Sequence, residues 1–449
     1  MVLKISVGMS KIDVESALRP QQPVRQERVE AVCLYMQSEK SQCLWAVLDF
    51  MDFNLHFVNT VKHAVCQATG LSAEHVHILT THNHGAGIPD PSALAEPVSI
   101  CAKNAISSAV PAQMRYTVTQ VSKQMTYIRR MEVPELDGVT TLYYGSGPHN
   151  QFDSAPFVEH AVNCVREGIP LAYTGQAETN RPYHPFAPGD PDIVAVEFRA
   201  LTGAPIGTVV RFAAHVNSCN RPGSFSSDFP YYVRQNMEQA FGGTCLYFNG
   251  PCGNIAIGFT DKYAGAERPL GEAIAQDAIN ALKNQPFAPL AQMQDAMTSV
   301  WLPVRQEVLD NNVPLPPKIP ETLPERRKYL EASRVQNTLP FLREKYTEGE
   351  TALGKEICVH LGFLRLNQLI FAAFPGETFS VTGKAVQDAF PDRTICTLTE
   401  HERTAMYIPT KADCMRGGYE PACMSTAPGA EDVLRTASIN AMEQFLKES

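Results

Sequence analysis

The chain has 449 residues, 44% of them apolar, with 38 basic against 47 acidic side chains and a formal charge of −9. That length and apolar content support a sizeable core and exclude a disordered chain. The acidic balance argues against nucleic acid or an anionic membrane surface as the main partner, and no apolar run approaches the roughly 20 residues that span a bilayer.

The N-terminal MVLKISVGMSKIDVESAL alternates apolar and polar residues like a strand and lacks the apolar segment of a signal peptide. A cytoplasmic protein without stable membrane insertion is therefore expected. RVEAVCLYMQSEKSQCLWAVLDF, residues 28–50, reads as two strands around the polar SEKSQ turn. Leu55, Val58, Val61 and Val65 recur at roughly helical spacing and predict a helix over 54–69. The apolar strand HVHILTT follows and delivers His82 and His84 at its carboxyl end, where α/β sheets bind ligands. In an extended segment these two imidazoles share a face, because side chains alternate. Such a pair can hold a metal, shuttle a proton or only fill a polar pocket, and Gly85 and Gly87 would keep the approach clear.

A helix is predicted over 92–109, followed by a mixed strand-and-loop region to about 200. IGTVVRFAAH, 206–215, is a second apolar strand that finishes in a histidine, His215. SSDFPYYVRQNMEQAF reads as a loop into a helix, where Asp228 either orients a ligand histidine or caps the helix. TCLYFNGPCGNIAIGF reads as a strand entering a glycine-punctuated turn. After a helix at about 270–284, PFAPLAQ (286–292) is the one weak candidate for a boundary. Further polar strand ends lie beyond it, so a single domain over 1–449 is expected. Charged helices occupy 323–348, strands resume at 357–374 and end in PGETF with Glu377, and a last helix covers 430–447. The predicted fold class is α/β, mixed β-sheets flanked by helices.

The twelve cysteines are irregularly spaced and form no CxxC pair, which argues against a structural zinc cluster and predicts mostly reduced, buried thiols. His75 and His77 read as structural residues of their strand. His56 and His63 fall on the first helix, and His149, His160, His184, His360 and His401 have no assignable partner.

Four strand-terminal stretches gather polar groups: THNH, AAHVNS, PGETF and MYIPTKADCMRGGYE. Their imidazoles, carboxylate and phenols suit a zinc-type metal that keeps one position open for water. Each alone is a weak signal. Taken together they resemble the neutral/alkaline ceramidase family of zinc-dependent amidases. THNHGAG resembles its T-H-x-H stretch, and VVRFAAHVNS with SSDFPYYVRQNME resembles its second zinc histidine, S-G-D stretch and following helix. FNGPCGNIAIG is similar to its glycine-rich nucleophile loop, FAAFPGETFSVTG to the segment with the zinc-binding glutamate, and MYIPTKADCMRGGYE to its Y-[VI]-x-T-(x)8-Y-E pattern. The five matches keep their order along almost the whole chain.

The resemblance implies a ceramidase-like catalytic domain with Zn2+ held by His82, His215, Glu377 and Tyr407. It places His84 beside the nucleophile, Tyr419 on the reacting carbonyl, and a substrate-contacting arginine at Arg129 or Arg130, with Arg130 taken as the catalytic candidate. Ala256 occupies the family's serine position, and the chain stops where the family's C-terminal immunoglobulin-like domain would begin. Alanine cannot act as a nucleophile, so three readings stand. In the first, a metal-bound water attacks an amide, lactone or ester carbonyl, with His84 as general base and Tyr419 supporting the oxyanion; the alanine even leaves room for a water. In the second, Cys252 in the same turn is the nucleophile. In the third, the protein binds metal without catalysis. An acidic chain without an export signal suits a small soluble substrate better than ceramide, and homo-oligomerisation stays open.

Overall fold

The computed structural model describes residues 5–18, 27–86, 89–142, 155–171, 189–219, 225–257, 267–347, 354–402 and 405–448. The predicted hairpin is present: Glu30–Gln37 pairs antiparallel with Gln42–Leu48, and the turn closes on the Ser38 hydroxyl, which accepts from the Ser41 N–H at 3.0 Å. The predicted helix runs Leu55–Thr69; Asn54 caps it by accepting from the Phe57 N–H at 2.7 Å, and Gly70 ends it at φ 77°. Its buried face is Phe57, Val58, Val61 and Val65, so three of the four positions read from the sequence are on it and Phe57 takes the place of the half-buried Leu55.

Most strands join one nine-stranded sheet. From edge to edge it runs Thr244–Asn249, Pro205–Phe212, Asp192–Ala200, Val110–Gln120, Ser6–Asp13, Glu30–Gln37, Gln42–Leu48 and Val76–Thr80, with the short Ala288–Pro289 added beside Val110–Gln120. A four-stranded sheet of Met293–Pro303, Glu356–Leu366, Leu369–Ala373 and Thr394–Leu398 packs against it. Trp45, Phe248, Leu364 and Phe371 belong to one apolar cluster shared by the two sheets, so residues on both sides of the 286–292 segment share a core. Losing one such aromatic would cost about 3–5 kcal/mol.

Within these two sheets most pairing is antiparallel, but three pairs of neighbours are parallel: Leu44–Leu48 with Val76–Thr80, Gly207–Phe212 with Thr244–Asn249, and Leu369–Ala373 with Thr394–Leu398. Each is joined by a crossover containing a helix (Leu55–Thr69, Phe229–Phe241 and Ser380–Asp388), as parallel pairing requires. The isolated bridges Leu79↔His401 and Asn83↔Val216 bring these strand ends together. His82, His215, Cys252, Glu377 and Glu400 all follow the carboxyl ends of strands in these three units. The site therefore sits where parallel sheets leave their strand ends open.

His77 does have a structural role. It stacks on Trp45 at 4.4 Å, and its ring nitrogens meet His401 Nε2 at 2.9 Å and Asp295 Oδ1 at 3.1 Å. His75 shares that aspartate at 3.2 Å. All twelve cysteines are unpaired thiols, seven buried and five half-buried. Among the described residues, no helix is long and apolar enough to cross a membrane. His149, His184 and Gly87 lie outside the described residues.

Candidate metal centre

The strand bearing the first histidines ends at Thr80, and the chain then turns sharply. His82 has φ 61°, a left-handed conformation that is uncommon for a bulky side chain. The turn is pinned by backbone bonds from the Asn83 N–H to Phe50 O at 2.8 Å and from the His84 N–H to Val216 O at 2.9 Å. The Asn83 side chain adds bonds to Asp49 O and Ser226 O, and its Oδ1 accepts from the Gly85 N–H. His82 and His84 do meet, with Nε2 atoms 3.3 Å apart, but through this turn and not through strand alternation. The expectation of an extended segment fails at His82 itself.

His82 and His215 are each 1% exposed and both orient Nε2 toward Glu377. His215 Nδ1 donates to the carbonyls of Cys252 and Ile255, both at 2.9 Å. His82 Nδ1 lies 3.1 Å from Met51 O and 3.3 Å from Glu400 Oε1. With each Nδ1 placed to donate, rings that have given up any second proton to a bound ion would present Nε2 lone pairs. Those lone pairs lie 3.2 and 3.0 Å from one atom, Glu377 Oε2, which is buried and accepts no hydrogen bond. Three electron-rich atoms facing one another need a cation or a proton between them. A divalent metal fits: two imidazoles with Nδ1 held by carbonyl or carboxylate, and one carboxylate, are a zinc-type donor set.

Tyr407 lies beside them. Glu377–Thr378 and Tyr407–Ile408 form a two-residue parallel ladder that pairs Glu377 with Tyr407. The Tyr407 hydroxyl is 3.5 Å from His215 Nε2. Tyr419 follows at one remove, its ring 5.7 Å from that of Tyr407 and half-buried. The structure thus brings His82, His84, His215, Glu377 and Tyr407 together, with Tyr419 on the flank.

The electrostatics follow from burial. Burial alone would lower the His82 pKa, but the Glu377 and Glu400 carboxylates outweigh it and hold it well above the usual histidine range. Burial and the Arg129 guanidinium push His215 down to about 4. Glu377 is held well below the carboxylate range because the two histidines outweigh its burial. Burial and the Glu377 charge raise the Tyr407 phenol well above 10.

Arg129 is the arginine that reaches the cluster: Nη1 lies 3.2 Å from His215 Nε2, and Nη2 donates to the Tyr407 hydroxyl at 3.0 Å and to Gly253 O at 2.9 Å. Arg130, the expected substrate contact, points elsewhere. Asp413 holds its Nε at 3.0 Å and Glu420 its Nη1 at 2.7 Å, so its charge is spent inside the fold. Asp228 resolves to the capping alternative: it accepts from the Phe229 and Cys219 N–H groups, both at 2.6 Å, and fixes the loop after His215.

Cys252 offers its sulfur close to both imidazoles, and His82, His215 and Cys252 can place one ligand atom each within 4.8 Å of one another. The thiol is nevertheless fully buried, and burial pushes its pKa up to about 12. That opposes an activated thiolate. Glu377 Oε2, 3.2 and 3.0 Å from the two Nε2 atoms, is an anionic group beside the same imidazoles. Ala256 packs into an apolar cluster with Tyr127, Met131 and Leu142, which gives no support to a water in its place.

Sequence reasoning missed two groups. Glu400 stands behind His82, and Glu420 anchors both arginines. TLTEHERT carried the signal for the first, since it is another apolar strand ending in titratable residues.

Scans against protein-family models and curated protein sequences return no match. Among solved structures, the neutral ceramidase from Pseudomonas aeruginosa superposes with a TM-score of 0.65 at 15% identity, covering 98% of this chain and 75% of that one. A ceramidase complexed with C2 matches with the same TM-score at 14% identity, covering 98% and 76%. The chain has a ceramidase-like fold, and at this identity the likeness speaks to fold alone.

Proposed function

We propose that this chain, built on a ceramidase-like fold, is a metal-dependent hydrolase acting on an amide, lactone or ester of a small soluble substrate in the cytoplasm. One observation carries the reading: two buried Nε2 atoms, each with its Nδ1 already engaged, converge on a Glu377 oxygen that accepts no hydrogen bond. His82, His215 and Glu377 would hold the ion, with Tyr407 as fourth donor. A zinc ion there polarises a carbonyl and lowers the pKa of water towards about 7.

The remaining roles belong to the chain. His84 is half-buried, with Nε2 3.3 Å from His82 Nε2, and accepts the proton of the attacking water. The Tyr419 phenol supports the developing oxyanion from the flank. Arg129 keeps Tyr407 and His215 in place and brings positive charge to a water-poor site. No serine is required, which agrees with Ala256.

The test is elemental analysis of freshly purified protein, followed by a panel of amides, lactones and esters. About one metal per chain is expected. His82→Ala should lose it, whereas His84→Ala should keep it and lower kcat by about 10²–10⁴. Equal metal loss in both variants would make His84 a ligand and move the proton acceptor elsewhere. Full metal with no turnover of any class would favour a non-catalytic metal-binding protein, and efficient turnover of ceramide would overturn the small-substrate reading.

A further inference from the structure

We infer that Glu400 is a positioning residue of the metal centre, holding His82 and Glu377 in register through three separate contacts; the inference rests on the metal reading above. The segment 399–402 follows the strand Thr394–Leu398 and carries four buried polar side chains, none more than 4% exposed. The Glu400 N–H donates to Gly376 O at 3.3 Å, one residue before Glu377. Its carbonyl accepts from the Thr80 N–H at 3.2 Å, two residues before His82. Its carboxylate Oε1 stands 3.3 Å from His82 Nδ1.

The flanking residues lock this crossing. The Thr399 N–H donates to Asn249 O at 3.0 Å, the His401 N–H to Phe374 O at 2.9 Å, and the Glu402 N–H to Ile78 O at 2.7 Å. One short turn thus ties the strand before His82 to the strand before Glu377.

The backbone at Glu400 lies at φ 56°, where glycine or asparagine sits more readily. Any residue could supply its N–H and carbonyl bonds, so what a glutamate adds is the carboxylate. Its Oε1 is buried and faces His82 Nδ1, which it shares with Met51 O at 3.1 Å. A carboxylate behind a ligand imidazole fixes the tautomer and ring direction and strengthens the opposite nitrogen as a donor to metal. Here that nitrogen is Nε2, the one aimed at Glu377.

The experiment uses the full chain stripped with a chelator, with zinc titrated back in competition with a chromophoric chelator. The variants are Glu400→Gln, Glu400→Gly and, as a control in the same turn, Glu402→Gln. Glu402 accepts from the Ile78 N–H and pairs with Lys62 at 2.7 Å, away from His82. Both Glu400 variants should bind zinc about 10–100-fold more weakly. The metal-free Glu400→Gly chain should unfold at or above the wild-type temperature, because its left-handed φ is relieved. Glu402→Gln should lower the unfolding temperature and leave zinc affinity unchanged. Wild-type affinity in both Glu400 variants would overturn the inference, as would equal weakening in Glu402→Gln. A wild-type chain that takes up no zinc would overturn the metal reading itself, and this inference with it.

Discussion

Removing the Glu420 carboxylate takes the carboxylate partner from buried Arg129 and one of two from Arg130, which keeps Asp413 at 3.0 Å, and the cost can be worked from the distances. Arg129 Nε lies 2.8 Å from one carboxylate oxygen, Arg130 Nη1 lies 2.7 Å from the other, and the Thr141 hydroxyl donates at 2.9 Å. The three charged side chains are 1%, 5% and 0% exposed. At an effective dielectric of about 20, each pair has roughly 6 kcal/mol of gross attraction. Desolvation takes back several kcal/mol per ion, so the intact triad adds little net stability. Breaking it is another matter, because an uncompensated buried cation costs about 3–5 kcal/mol. Glu420→Gln should lower the unfolding free energy by that amount, read from urea denaturation followed by circular dichroism. Adding Arg130→Met should cost less than the two single changes summed, because both remove the same Arg130–Glu420 pair. The pH dependence has a definite sign. Burial would raise the Glu420 pKa, but Arg129 and Arg130 outweigh it and hold the folded value below 4.5. The unfolded chain therefore takes the proton first as pH falls. The stabilisation is fully present above that unfolded value and drains away as pH drops through the folded one. The variant should lack this part of the acid limb. A Gln variant within about 1 kcal/mol of wild type, with the same acid limb, would refute the argument.

Two further outcomes follow from close packing at the site. A Cβ added at Gly253 would stand 2.3 Å from the Glu377 carbonyl oxygen, so Gly253→Ala should destabilise by about 1–3 kcal/mol and weaken zinc uptake; wild-type values in both titrations would mean that the approach is not a constraint. Cys252 is fully buried and its thiol is pushed up to about 12, so iodoacetamide treatment of the folded chain should label the half-buried Cys66 and Cys358 before it. Early labelling of Cys252, read by peptide mass spectrometry, would revive the thiolate reading.

Much of the architecture was legible because periodicity reports burial directly. Leu55, Val58, Val61 and Val65 named a helix face, and SEKSQ named a hairpin turn. The strand ends at His82, His215 and Glu377 were visible as apolar runs finishing in a polar group. What pattern could not supply was the path of the chain after each strand. His82 turns left-handed, which no alternation rule anticipates, so its proximity to His84 was expected for the wrong reason. Arg129 and Arg130 are adjacent in sequence, and only Asp413 and Glu420, some 290 residues later, decide which of them faces the site. Glu400 was missed because its work is done by backbone bonds and one carboxylate edge, and neither leaves a spacing to read.

The proposed donor groups lie far apart along the chain, at 82, 215, 377 and 407, and that separation sets an order of events during synthesis. Every strand of the large sheet except Ala288–Pro289 ends by Asn249, so His82 and His215 can be brought together by the first half of the chain. Glu377 and Tyr407 arrive with the second sheet and its two-residue ladder. At about 5–20 residues per second, the ribosome leaves roughly 15–65 s between His82 and Tyr407. Until Glu377 is made, the nascent chain offers imidazoles alone from the proposed donor set, a poor and reversible metal trap. On the proposed metal reading, firm capture would wait for the last quarter of the chain, and a truncated product would not hold the ion against other cellular ligands.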